Sequence, residues 1–207
     1  MKSTITFEFD GKEELEAFAR KISKSDTIVE TPEVENRTED VFLVMKKEHE
    51  GEAPTMDNIE GICIPMLNGD RFLLYPKFGK FPLLPEDKIE DYKGKCYTEA
   101  EALFTNDNHN ETTALLALGS EAAKFVRSLN GRDLPSLSMC LSIEYYKDKI
   151  NTVAKKITGA ELVDNSLRWS SCRYSTGSAW YCDRTGITNT NAFCISFTVS
   201  AVSAYKS

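Results

Sequence analysis

Apolar and polar residues alternate over residues 3–9, where Ile5, Phe7 and Phe9 fall on one side of an extended chain. That alternation predicts a strand. Asp10-Gly11 supplies a turn, and Leu15, Phe18, Ala19 and Ile22 then recur at helical spacing over residues 12–23. A short apolar run at residues 41–45 predicts a second strand, so residues 1–47 read as a small β-α-β layer. Residues 48–58 are polar and carry Gly51 and Pro54, which makes them the best linker. The reading divides the chain into an N-terminal α/β module, 1–56, and a second module, 57–207.

The second module opens with two apolar runs around Asn68-Gly69-Asp70, which predict a β-hairpin with a tight Asn-Gly turn. A short helix is expected at 97–104. A longer one is expected at 111–129, with Leu115, Leu116, Ala122, Phe125, Val126 and Leu129 facing inward. Leu134-Pro135-Ser136 breaks the chain and starts a third, 137–157, with Leu141, Tyr145, Ile150, Val153 and Ile157 as its core face and Gly159 as its stop. Residues 160–205 have no helical period and many turn residues. The expected class is α+β: helices packed on a mostly antiparallel twisted sheet.

Composition narrows the function. The 207 residues carry a net charge of −7, which argues against a general nucleic-acid binder, since that needs a basic face. The charge is uneven: residues 1–60 hold 8 Lys/Arg against 16 Asp/Glu, whereas residues 168–207 hold 4 against 1. The two ends are therefore expected to do different jobs. No apolar run is long enough to span a bilayer, and residues 1–14 lack the apolar stretch of a secretory signal. The expectation is cytoplasmic synthesis with no membrane insertion. The six cysteines form no CxxC pair and no zinc spacing with His49 or His109. They are expected to be free thiols, with Cys63, Cys96 and Cys140 as core hydrophobes and Cys172, Cys182 and Cys194 on a surface. Residues 106–111, Asn-Asp-Asn-His-Asn-Glu, are rich in oxygen but lack the glycine and spacing of an EF-hand loop. They read as a polar cap on the following helix rather than a calcium site, and no cofactor is expected.

Residues 169–207 are unusual. Thirteen of these 39 residues are Ser or Thr, three are Cys, and none is Leu, Glu, Met or Pro. Tyr, Ser, Asn and Arg are residue types that binding surfaces favour. Taken alone, the composition favours a polar twisted sheet with long loops.

Trp169-Ser170-Ser171, Ala179-Trp180, Gly186 and the closing Val-Ser-Ala-Val-Ser-Ala-Tyr of 199–205 resemble the C-terminal half of a C-type-lectin-fold family. These are the variable proteins of diversity-generating retroelements, related to the Fibrobacter major paralogous domain. Upstream segments match in order: residues 108–112, Ala122-Ala123, residues 133–137, residues 147–151 and Gly159. The chain departs from the pattern at Met139-Cys140, where relatives often carry Glu-Leu.

The resemblance implies a C-type lectin fold over about residues 60–205 and a variable region at about 168–205. It also implies a source for the composition. In that family an error-prone reverse transcriptase rewrites template adenines, so AAY codons become almost any NNY codon. Such codons supply Ser, Thr, Cys, Tyr, Phe, Ile, Asn, Asp and Arg, but not Lys, Glu, Met or Trp. The implied function is ligand binding, not catalysis. Variable contacts are then expected at Cys172, Arg173, Tyr174, Ser175, Thr176, Ser178, Tyr181, Cys182, Asp183 and Arg184, and at Thr188, Asn189, Thr190, Phe193, Ile195 and Phe197. Tyr174, Tyr181 and Phe193 are the expected hot spots, and Arg173 and Arg184 would favour an acidic ligand; packing of Tyr181 beside Trp180, and one face of a core strand for the alternating Phe193, Ile195 and Phe197, explain those residues as well as ligand contact does. Trp169, Trp180 and Gly186 are the expected scaffold. The implied partner is a protein or glycan receptor on another cell, with the protein carried on a virion or displayed on a surface. The N-terminal module would serve attachment to a larger assembly or homo-oligomer formation. Two alternatives share the fold: a fixed lectin or adhesin, and a formylglycine-generating type of enzyme using paired cysteines.

Overall fold

The computed structural model describes residues 41–66, 68–183, 185–186 and 188–205. The strand expected at 3–9 and the helix expected at 12–23 lie outside the described residues. The compact unit that holds the described residues begins at Glu39.

Seven strands form one sheet among the described residues, in the order β1-β2-β3-β7-β4-β5-β6. They are β1 (Phe42–Met45), β2 (Ile59–Pro65), β3 (Arg71–Phe81), β4 (Arg168–Ser175), β5 (Ser178–Cys182), β6 (Thr188–Ala192) and β7 (Phe197–Ala204). All pairs are antiparallel except β4–β7, which meet in parallel at Arg168 and Thr198. Five α-helices accompany the sheet among the described residues: α1 (Glu99–Phe104), α2 (Asn108–Ala117), α3 (Glu121–Ser128), α4 (Leu137–Tyr145) and α5 (Lys147–Ala154). The chain is α+β with a mostly antiparallel sheet, as its pattern predicts.

The expected hairpin is β2–β3, in register from Ile62 opposite Leu74 to Pro65 opposite Arg71. Its connection runs over five residues rather than two. Gly69 takes φ +89°, and Asn68 Oδ1 accepts from the Asp70 N–H at 3.1 Å. β3 shifts register between Tyr75 and Phe78. Pro76 falls in that bulge, where a residue without an N–H donor costs no ladder bond. The strand expected at 41–45 forms as β1, but it pairs with β2. It therefore belongs to the sheet of the second module rather than to a separate N-terminal layer.

Two predicted helices are each split. The apolar period of 111–129 runs through Gly119, but Gly119 takes φ +85° and closes α2, while Ser120 caps α3 by accepting from the Ala123 N–H at 3.1 Å. Leu115, Ala122 and Val126 are buried as expected, and Leu116, Phe125 and Leu129 pack half-buried against the core. The helix expected at 137–157 starts after Ser136, whose Oγ accepts from the Met139 N–H, but turns at Tyr146 into α5. The turn leaves Tyr145 80% exposed, contrary to its expected core role. Residues 108–112 open α2. Asn108 Nδ2 donates to the Leu134 carbonyl at 3.1 Å, and Thr112 Oγ1 accepts from the Leu134 N–H at 3.0 Å. These bonds tie α2 to the segment that starts α4.

Candidate functional site

β4, β5 and the turns beside them hold most of the expected contact residues, and the structure divides these residues sharply. Residues 168–173 are all buried, so β4 is covered on both faces. Trp169 is fully buried, its ring centroid 4.5 Å from that of Phe197, and its Nε1 donates to the Ile195 carbonyl at 3.2 Å. Trp180 is also buried, and its Nε1 donates to the Tyr97 carbonyl at 2.9 Å. Both indoles thus fill core and satisfy their one donor. Gly186 takes φ +75° in the β5–β6 turn, a conformation that suits glycine.

Five expected contact residues lie in the core and cannot meet a ligand there. Cys172 packs with Tyr97, Ala102, Leu137 and Trp180 in a satellite cluster. Cys182 is likewise inaccessible. Arg173 donates through Nε to the Ser175 carbonyl and through Nη1 to the Gly94 carbonyl, both at 2.8 Å, with its guanidinium 5.1 Å from the Tyr92 ring centroid. It fastens the 94–97 loop to β4 instead of reaching for an acidic ligand. Phe193 packs edge-on against Tyr92, and Phe197 against Trp169 and Tyr181. Tyr181 is half-buried in that same aromatic group. Phe193 is thus core rather than a hot spot.

The remaining expected residues are accessible. Tyr174 is 47% exposed, with its ring edge-on to Trp180 at 5.1 Å. Thr176 and Asn189 are exposed, and Ser175, Ser178, Thr188 and Thr190 are half-buried. Ser175 and Ser178 join their hydroxyls at 2.6 Å across the β4–β5 turn. Thr188 Oγ1 donates to Glu99 Oε1, linking β6 to α1. Asp183 Oδ1 accepts from the Thr185 N–H at 2.8 Å and from its hydroxyl at 2.6 Å, so Asp183 shapes its own turn. Ile195 is 41% exposed in the β6–β7 turn, between the buried Phe193 and Phe197. Arg184 lies outside the described residues.

The six cysteines are free thiols, but their expected sorting is only half right. Cys63, Cys140, Cys172 and Cys182 are buried, and Cys96 and Cys194 are exposed. Cys96 is therefore no core residue. Of the three cysteines expected on a surface, Cys194 alone is exposed. Burial pushes the Cys172 thiol up to about 11 and that of Cys182 up to about 12. That is the reverse of an activated nucleophile. Among the described residues, no three His, Cys, Asp or Glu side chains converge. Glu111, once counted among the oxygen-rich residues, is turned into the core.

Two buried ionic groups escaped the sequence reading. Glu111 accepts from the hydroxyls of Tyr92 and Tyr97, the latter at 2.9 Å. Burial, and then the bond to this carboxylate, push both phenols well above their ordinary range. Arg168 and Glu144 pair at 3.4 Å with side chains 0% and 2% exposed. Arg168 also donates to Ser200 Oγ and lies 5.3 Å from the Phe78 ring centroid. Nothing in the local sequence around Glu111, Glu144 or Arg168 marks these partners, which lie 14 to 32 residues away.

No family model, curated protein or solved structure matches this chain. Among the described residues, no helix is long and apolar enough to cross a membrane.

Proposed function

We propose that residues 57–207 form a ligand-binding domain of C-type-lectin type. Its accessible face on the β4–β5, β5–β6 and β6–β7 turns and on β6 is diversified by a retroelement. One observation carries the reading. Among the described residues of 174–196, the exposed ones are Tyr174, Thr176, Thr185, Asn189, Cys194, Ile195 and Ser196. Each is a type that NNY codons supply. Trp169 and Trp180, which such codons cannot supply, are in the core. Rigid elements holding small polar and aromatic side chains in turns is the division of labour expected of a recognition surface. The α+β architecture and the ordered segments support the fold assignment: Leu134-Pro135-Ser136 starts α4, and Asp133 bridges to Val202 of β7. The partner is a protein or glycan receptor on another cell, and the protein rides on a virion or a surface assembly.

The test is to read the DNA encoding residues 168–205 and the region downstream. The expected result is a near-copy that differs only where the copy carries adenine, with the differing codons falling at Tyr174, Thr176, Thr185, Asn189 and Ile195. Absence of a copy, together with an unchanging sequence among clones, would overturn diversification and leave a fixed lectin-fold binder.

A further inference from the structure

β6 is an outer strand of the sheet, next to β5 alone in the strand order. It pairs with β5 in unbroken register, from Cys182 opposite Thr188 to Ser178 opposite Ala192. Such an edge is a template on which another chain can add a strand, and proteins blunt it with charged side chains, proline or a bulge. β6, with the sequence Thr-Asn-Thr-Asn-Ala, has none of the three and is of ordinary strand length. Any guard on it has to be of another kind.

The phase of the ladder fixes which groups face out. Along an antiparallel strand, successive residues turn their main-chain groups to opposite sides. Just beyond β6, the Phe193 N–H donates to the Gly177 carbonyl at 3.2 Å and continues the register. Asn191 and Asn189 therefore point their main-chain groups at β5, while Ala192 and Thr190 point theirs outward. Trp180, which stands opposite Thr190, agrees: its carbonyl turns to the other side and accepts from Ser170 Oγ on β4 at 2.8 Å. The outward donors are already taken by the strand's own side chains. Asn189 Oδ1 accepts from the Thr190 N–H and Asn191 Oδ1 from the Ala192 N–H, both at 2.8 Å. The outward Ala192 carbonyl accepts from the Ile195 N–H at 3.1 Å.

We propose that Asn189 and Asn191 are caps that close this edge against strand addition by β6 of a second copy. An antiparallel pair centred on Thr190 would set Thr188 against Ala192 and Asn189 against Asn191, with no like charges to oppose it. The caps remove the incentive, because an incoming carbonyl would exchange one hydrogen bond for another instead of adding one. The edge is guarded twice, so a change at the exposed Asn189 alone leaves Asn191 in place. A receptor that meets β6 meets its side chains rather than extending its ladder. The inference holds whether or not β6 is diversified, so its test and the search for a template copy fail separately.

The experiment is sedimentation equilibrium on the full chain carrying Asn189→Val with Asn191→Val, beside the native chain and a control carrying Thr176→Val with Ser196→Val. Thr176 and Ser196 are exposed and lie outside the strands, so the control adds apolar surface without freeing an edge donor. The edge variant is expected to self-associate at least about tenfold more tightly than the native chain, and the control to match the native chain. Amide exchange at Thr190 and Ala192 of the edge variant is expected to slow as its concentration rises. Association unchanged from native, or equal in the control, would overturn the proposal. So would tighter association that leaves exchange at those two amides unaltered, since another surface would then be pairing. Should the Val pair not fold, Asn189→Ala with Asn191→Ala decides. At low concentration its Thr190 and Ala192 amides are expected to exchange about tenfold faster than in the native chain, and equal rates would overturn the caps.

Discussion

Replacing Arg168 with Met tests whether the buried pair is placed as described. In the native chain both side chains are out of water, at 0% and 2% exposure. Their attraction offsets a desolvation cost of several kcal/mol per ion. Removing Arg168 alone strands the Glu144 carboxylate beneath α4, and breaking such a pair costs about 3–5 kcal/mol. A further ~1 kcal/mol goes with the hydrogen bond to Ser200 Oγ. Because native domains are stable by only about 5–15 kcal/mol, the single variant should be close to unfolding. Arg168→Met with Glu144→Leu removes both charges and should recover most of the loss, giving a coupling of about 3 kcal/mol.

The pH dependence carries a sign. An unpaired buried carboxyl has its folded pKa raised above the unfolded value. The stability it contributes is present at low pH and lost as pH rises. Arg168→Met should therefore regain stability between pH 8 and pH 5 by more than the native chain does. Urea unfolding followed by tryptophan fluorescence is the assay, since both tryptophans lie in this unit and are buried. A single variant within about 1 kcal/mol of native, or a double variant equal to the sum of the singles, would refute the reasoning.

The cysteines give a second prediction. A thiol reagent should titrate two groups in the native protein, Cys96 and Cys194, and the other four only after unfolding. Because burial raises the Cys172 and Cys182 thiols from 9.0 to about 11 and about 12, their contribution is complete below pH 9 and is lost as pH climbs towards those values. At 1.36 kcal/mol per pKa unit, the loss for Cys172 alone reaches roughly 2 kcal/mol by pH 10.5, read by urea unfolding at pH 8, 9 and 10.5; a flat profile would contradict the burial. The third prediction contrasts two aromatic residues. Trp169→Ala should cost about 3–5 kcal/mol, whereas Tyr174→Ala should change the melting temperature by only a few degrees while reducing ligand binding. Equal losses of stability would remove the distinction between scaffold and recognition residue.

The fold was legible where local chemistry and tertiary packing agree. The β2–β3 hairpin combines apolar runs with Asn68-Gly69, and it forms where expected, though five residues rather than two connect its strands. Between α2 and α3 the apolar spacing alone ran on, yet Gly119-Ser120 is a stop followed by a start, and the two residues together carried the break. The turn at Tyr146 has no such mark. No glycine or proline sits there, and Leu141 and Tyr145 keep helical spacing up to it. The break falls there all the same and leaves Tyr145 exposed.

The binding face was read from residue types, and types mislead in β4. Arg168, Ser170, Ser171, Cys172 and Arg173 have surface chemistry but lie in the core. Several are held by carbonyls distant in sequence. Ser170 Oγ donates to Trp180, Cys172 Sγ to Ala102, and Arg173 Nη1 to Gly94. A residue's own neighbours cannot reveal a partner 70 or 79 positions away. The same bonds sharpen the functional proposal. A substitution at Cys172 or Arg173 would leave buried carbonyls unmatched and disturb the loop that carries Tyr97, whose carbonyl holds Trp180. Random replacement there would destroy the framework that any recognition surface needs. Tyr174, Thr176, Asn189 and Ile195 carry no such duty. If the chain is diversified, viable variation must therefore fall on the turns and on the exposed side of β6, and should spare the first six residues of β4.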